Sequence, residues 1–219
     1  MFENAKQVRR PRGRPQIRPD CDTLRLMIEA ATQEFSAKGY AATCMAAVAE
    51  RAGISTKTMY RLVATKAELF RNVVADRIGQ FMLAVDADAH ASHPLTEGLE
   101  RILQAYGELT LDAKTTAIMR LVLGEGHQFP ELASTFYEVA VLRVSEAMAS
   151  WLRKQKEAGL IKLEDAYLAA GLLRGMMSME PQRAMMLGQR GAPDHAEIVA
   201  RAKSCAQIFL DGCRLAPNA

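Results

Sequence analysis

The spacing of small and turn-forming residues between Thr43 and Leu62 constrains this chain more than any other feature. Counting from Met45, Ala49 stands fifth, where only a small side chain lets two helices cross closely. Gly53 stands ninth, where the chain must turn and a positive φ is favoured. Val48, Ala52 and Ile54 supply apolar contacts for the first helix and the turn, and Met59 and Leu62, three apart, face inward from a second helix. Two short helices joined by such a turn form a DNA-reading unit whose second helix enters the major groove N-terminus first.

The residues left outward have matching chemistry. Thr56 and Lys57 lie at the leading end of the second helix, where base edges are the natural targets. Thr58, Tyr60 and Arg61 are phosphate donors, and Tyr60 can also reach a base. Thr43 and Lys66 stand at helix starts, where N–H groups and the helix dipole favour a phosphate.

The rest of the chain reads as helical. Helix breakers and periodic apolar positions predict a first helix from Asp20 or Asp22 to Lys38, ended by Gly39, and a long fourth helix from Thr65 to about Ala91. Further helices are expected at 95–110, 115–124, 130–158, 164–179 and 194–212, with Glu180-Pro181 and Gly191-Ala192-Pro193 as breaks and a short helix after Pro181. The fold class is therefore all-α with about nine helices. Residues 1–19 read as a disordered basic arm, 20–80 as the helix-turn-helix domain (motif about 43–62), and 81–219 as a helical ligand-binding and dimerisation body.

Charge follows the same division. Residues 1–77 carry 14 Lys and Arg against 8 Asp and Glu, whereas residues 78–219 carry 14 against 17, a basic front on an acidic body. In the arm, Pro11-Arg12-Gly13-Arg14-Pro15 can lie extended. Arg12 and Arg14 could enter a narrow A·T-rich minor groove, as in an AT-hook core, or add sequence-independent phosphate affinity.

Residues 28–70 resemble the DNA-binding domain of the TetR family of bacterial regulators. The resemblance rests on Ile28, Ala31, Phe35, Gly39-Tyr40, Thr43, Val48-Ala49, Ala52-Gly53-Ile54-Ser55, Thr58-Met59-Tyr60 and Lys66-Ala67-Glu68-Leu69. Cys44, Lys57 and Leu62-Val63 depart from the family pattern, which usually has Ser or Thr, often Gly, and a His/Tyr-Phe pair there. The resemblance implies a repressor that binds an inverted-repeat operator in double-stranded DNA as a homodimer, with a small-molecule effector in the body. It also implies that the last two long helices pair across the dimer. Their apolar faces include Ala169, Leu172, Leu173, Ile198, Ala202, Ala206 and Phe209.

For a pocket holding an apolar or aromatic effector, the candidates are Met119, Leu123, His127, Phe136, Tyr137, Trp151 and Met176. No cofactor and no catalytic residue is expected, since no phosphate loop, GxSxG, HExxH or paired-cysteine motif occurs. Asp86, Asp88, His90 and His93 are irregularly spaced for zinc, so no metal is expected there. The absence of an apolar run of about 18 residues argues against a membrane span. Scattered Cys21, Cys44, Cys205 and Cys213 read as reduced thiols of a cytoplasmic protein. The alternative function is a helical binding protein for an apolar ligand without DNA regulation.

Overall fold

The computed structural model describes residues 19–89 and 93–213. They form α1 (Asp20–Ala42), α2 (Met45–Arg51), α3 (Thr56–Leu62), α4 (Lys66–Ala89), α5 (Leu95–Thr110), α6 (Ala113–Glu125), α7 (Pro130–Phe136), α8 (Arg143–Glu157), α9 (Ala166–Met186) and α10 (His195–Cys213). A π-helical turn, Tyr137–Leu142, joins α7 to α8 without a break. The described residues thus make nine helical rods and no strand, the all-α architecture expected.

Local chemistry sets the helix starts. Asp112 caps α6 by accepting from the Lys114 and Thr115 amides, and Asp165 caps α9 from Tyr167 and Leu168. Thr65 accepts from the Glu68 amide at 3.0 Å while Glu68 accepts from the Ala64 amide at 2.8 Å, which starts α4 as expected. At α1 the cap is Pro19 rather than either aspartate, and Asp20 is turned to another use described below. Gly39, with φ 80°, breaks α1 as expected, but the chain resumes a short turn to Ala42.

The expected break at Pro181 does not occur. α9 continues through it to Met186, and no separate short helix follows. Proline removes the amide that would bond the Met177 carbonyl and crowds that carbonyl outward. Arg201 of α10 supplies the missing donor, with Nε at 2.7 Å from Met177 O and Nη2 at 2.9 Å from Met176 O.

Two apolar cores result. The body core gathers Leu99, Ile102, Leu103 and Tyr106 of α5 with Met148 and Leu152 of α8, Leu173 of α9 and Ala202 and Ala206 of α10. These positions repeat at three and four residues, which puts them on one helix face. The second core joins Met27, Phe35, Val48, Met59 and Phe70 of the first four helices to Ile118 and Val122 of α6 and Leu132 of α7. The N-terminal unit therefore rests directly on α6 and α7.

Candidate functional site

In the N-terminal unit, the scaffold positions sit where the spacing predicts. Ala49 and Met59 are buried, and Gly53 has φ 65°. Ser55 caps α3 by accepting from the Thr58 amide at 3.1 Å, and its hydroxyl lies 2.9 Å from that of Thr58. Glu34 pins α2 to α1: Oε1 accepts from Arg51 Nε at 2.7 Å, and Lys38 Nζ lies 2.8 Å from Oε2. Those hydrogen bonds, from Lys38 first and Arg51 next, hold the Glu34 carboxyl below its ordinary range.

α3 presents Thr56, Lys57, Tyr60 and Arg61 outward, with Tyr60 55 % exposed, and Thr58 half-buried beside them. Arg61 is engaged: its guanidinium makes a two-pronged pair with Asp20 at the start of α1, at 2.9 and 2.7 Å. Arg12 and Arg14 lie outside the described residues.

Two expected phosphate contacts are placed differently. Thr43 is only 2 % exposed, and its hydroxyl donates to the Gly39 carbonyl at 2.7 Å, so it holds the turn rather than facing outward. Lys66 Nζ donates to the Tyr40 and Thr43 carbonyls at 2.7 and 3.0 Å and lies 4.4 Å from the Tyr40 ring centroid. Its charge faces the carbonyl end of α1. Tyr40 in turn stacks on Phe35 and meets Phe70 and Phe129 edge-on. Burial, with Glu131 adding to it, pushes the Tyr40 hydroxyl up to about 12.

α6 holds to the N-terminal unit at its two ends and to α9 of the body in its middle. At its start Asp112 pairs with Arg77 of α4 at 2.7 Å. In its middle Arg120 donates to the Met185 and Met186 carbonyls that end α9. At its end the Glu125 carboxylate accepts from the Tyr40 and Ala41 amides at 2.9 and 2.7 Å. Gly39 makes that last approach possible, because a methyl group there would collide with Glu125 Oε1.

Between α4, α5, α6, the α7–α8 rod and α9 lies a cavity of about 310 Å³, at the small end of the range for ligand pockets. Ile78, Leu109, Ile118, Met119, Phe136 and Val144 give it apolar walls. Tyr106, Thr115, Ser178, Gln182, Arg77 and Arg174 add polar tips. Of the residues expected here, Met119 and Phe136 line it. Leu123, 68 % exposed, His127 and Tyr137 point to solvent. Trp151 is buried elsewhere in the body core, its Nε1 donating to Asp88 at 2.7 Å, and Met176 packs against that core. Arg77 and Arg174 are not among the residues expected from sequence to line the cavity. The sequence signal for Arg174 is an arginine between Gly171 and Gly175, two residues that make room in the apolar first half of α9.

The expected pairing faces of α9 and α10 are also partly used within the chain. Ala169, Leu173, Ile198, Ala202 and Ala206 are buried in the body core. Leu168, Leu172 and Met179 of α9 and Ile208 of α10 are exposed instead.

A helix-turn-helix with an outward polar second helix, joined by one long helix to a cavity-bearing helical body, defines a DNA-binding transcription regulator. Residues 27–73 match the profile of the tetR family of bacterial regulatory proteins, and residues 97–212 match the C-terminal domain of AefR-like transcriptional repressors. The chain belongs to the TetR family and is a DNA-binding transcriptional regulator. It is 26% identical over 213 residues to the HTH-type transcriptional regulator TtgR of Pseudomonas putida, covering 90% of this chain and 93% of that one. It superposes with a TM-score of 0.76 and 28% identity on a TetR-family transcriptional regulator of Mesorhizobium loti, covering 90% of this chain and 98% of the other. The Flavonoid-responsive Regulator FrrA matches with a TM-score of 0.65 and 25% identity over 91% of this chain and all of that one.

Proposed function

We propose that this protein is a cytoplasmic homodimeric repressor, released from an inverted-repeat operator when a small apolar or aromatic molecule enters the body cavity. One observation carries the reading: α4 begins at the end of the helix-turn-helix and lines the cavity with Val74, Arg77 and Ile78. A ligand that favours one position of α4 therefore favours one position of the DNA-reading unit. Two recognition helices must match successive major grooves about 34–36 Å apart, so a small tilt spoils binding. The exposed row Leu168, Leu172 and Met179 of α9, with Ile208 exposed on α10, suits the required second copy.

Thr56, Lys57 and Tyr60 are the base-reading candidates, with Thr58 and Arg61 toward the phosphates. The response to flavonoids named for FrrA fits an effector with aromatic character. Selection of bound DNA from a random pool tests the reading. An enriched inverted repeat is the expected result, lost in Lys57→Ala and Tyr60→Ala proteins that remain folded and dimeric. Recovery of no enriched sequence overturns it and leaves the ligand-binding protein without a DNA role.

A further inference from the structure

The cavity lining carries two arginines and, among the described residues, no carboxylate. Arginine stays charged in any protein setting, so both groups bring a positive charge to a mainly apolar space. Arg77 is half satisfied: Nη2 meets Asp112 at 2.7 Å outside the cavity lining and the Thr115 hydroxyl at 3.5 Å within it, while its Nε is buried without an acceptor. Arg174 is less satisfied still. Its Nε is also buried without an acceptor, and its side chain has no hydrogen bond or ion pair among the described residues. A half-buried cation with an unmet Nε beside apolar walls favours a counter-charge; Asp112 supplies one to Arg77, and the lining supplies none to Arg174.

We propose that the cavity's ligand is an apolar molecule with one carboxylate head, seated between Arg77 and Arg174, its body lying against Ile78, Ile118, Phe136 and Val144. The guanidinium fork matches a planar carboxylate with two parallel N–H donors. Tyr106, whose hydroxyl oxygen lies 3.4 Å from that of Ser178 beside the cavity, can donate to the same head, while the Ser178 hydroxyl donates to the Arg174 carbonyl at 3.0 Å. The proposal deepens the ligand-released reading given above and rests on it for its regulatory meaning. An anion arriving at Arg77 competes with Asp112, the residue that caps α6, so occupancy by an acid loosens the start of the helix whose far end holds the α1 turn.

The test uses the full chain and matched probes: decanoate against decanamide, 2-naphthoate against 2-naphthamide, and decyl phosphate, each titrated calorimetrically at pH 8. At least one acid is expected to bind about tenfold or more tightly than its own amide. Arg174→Met should abolish that preference while leaving amide affinity within about twofold, and Arg174→Lys should retain part of it. Circular dichroism confirms that each variant is folded. Amides binding as tightly as acids, an undiminished acid preference in Arg174→Met, decyl phosphate binding where no carboxylate does, or no acid binding at all overturns the proposal. An enriched operator with no acid binding leaves the regulator reading standing and sinks this one. Acid binding with no enriched operator does the reverse.

Discussion

Arg201 of α10 donates to the carbonyl of Met177, the backbone group that Pro181 leaves without a partner inside α9. A proline in a helix interior ordinarily costs about 3 kcal/mol or more; here a side chain from the neighbouring helix replaces the lost donor. Arg201→Met should therefore destabilise the protein by about 1–3 kcal/mol, the range for leaving a buried acceptor unmet. Pro181→Ala restores an amide at that position, so the same arginine substitution should cost less in that background. Denaturant unfolding of the four proteins at one protomer concentration measures the coupling. Equal costs in both backgrounds would show that Arg201 does not serve the proline gap.

Asp20 holds Arg61 in an exposed two-pronged pair, and its hydrogen bonding raises the Arg61 pKa. Exposed pairs are worth little, so a DNA phosphate can take the guanidinium from Asp20 readily. Asp20→Asn should strengthen operator binding by freeing the guanidinium in advance, and Arg61→Ala should flatten the slope of log affinity against log salt by about 1. An unchanged slope in Arg61→Ala would remove Arg61 from the interface.

Glu34 gives the N-terminal unit an acid-sensitive joint. Its carboxyl titrates below the ordinary 4.5 in the folded chain because Lys38 and Arg51 donate to the ionised form. The unfolded chain binds the proton more readily, so this contribution is complete above 4.5 and is lost as pH falls through the lower folded value. Glu34→Gln should lower Tm at pH 7, and the gap to the parent should narrow on acidification below 4.5. A gap independent of pH would mean that the ion pairs with Lys38 and Arg51 are not what the substitution removes.

The helix-turn-helix was legible because its constraints are local. Ala49 is small where two helices cross, Gly53 turns with positive φ, and Met59 fills the gap, all within a few residues of one another. The outward face of α3 follows once those three are placed. The internal bonds of Thr43 and Lys66 were not legible, because their partners, the Gly39 and Tyr40 carbonyls, lie on α1. The cavity was least legible, since five rods converge on it and periodicity shows only that a face is apolar. Phe136 and Tyr137 are adjacent and equally aromatic, yet one lines the cavity and the other meets solvent. Met119 and Leu123 share a face of α6, but the cavity ends before Leu123. The break expected at Pro181 failed for a similar reason, because the compensating donor comes from α10.

Glu125 offers a way to separate effector binding from its consequence. It lies outside the cavity lining, on the helix that lines it through Thr115, Ile118 and Met119, and its carboxylate accepts from the Tyr40 and Ala41 amides just past the Gly39 break. Glu125→Gln removes the charge and one of the two acceptors, which weakens the joint between α6 and the DNA-reading unit by about 1–3 kcal/mol. Effector affinity of the DNA-free protein should stay within about twofold of the parent. The factor by which effector lowers operator affinity should shrink about fivefold or more. Gly39→Ala should act in the same direction and more strongly, because it both strains a positive φ and displaces the Glu125 carboxylate. Titrating operator DNA with and without the tightest-binding acid of the probe panel yields that factor directly. An unchanged factor in both variants would show that α6 does not carry the signal through this contact and would leave α4 as the connecting element.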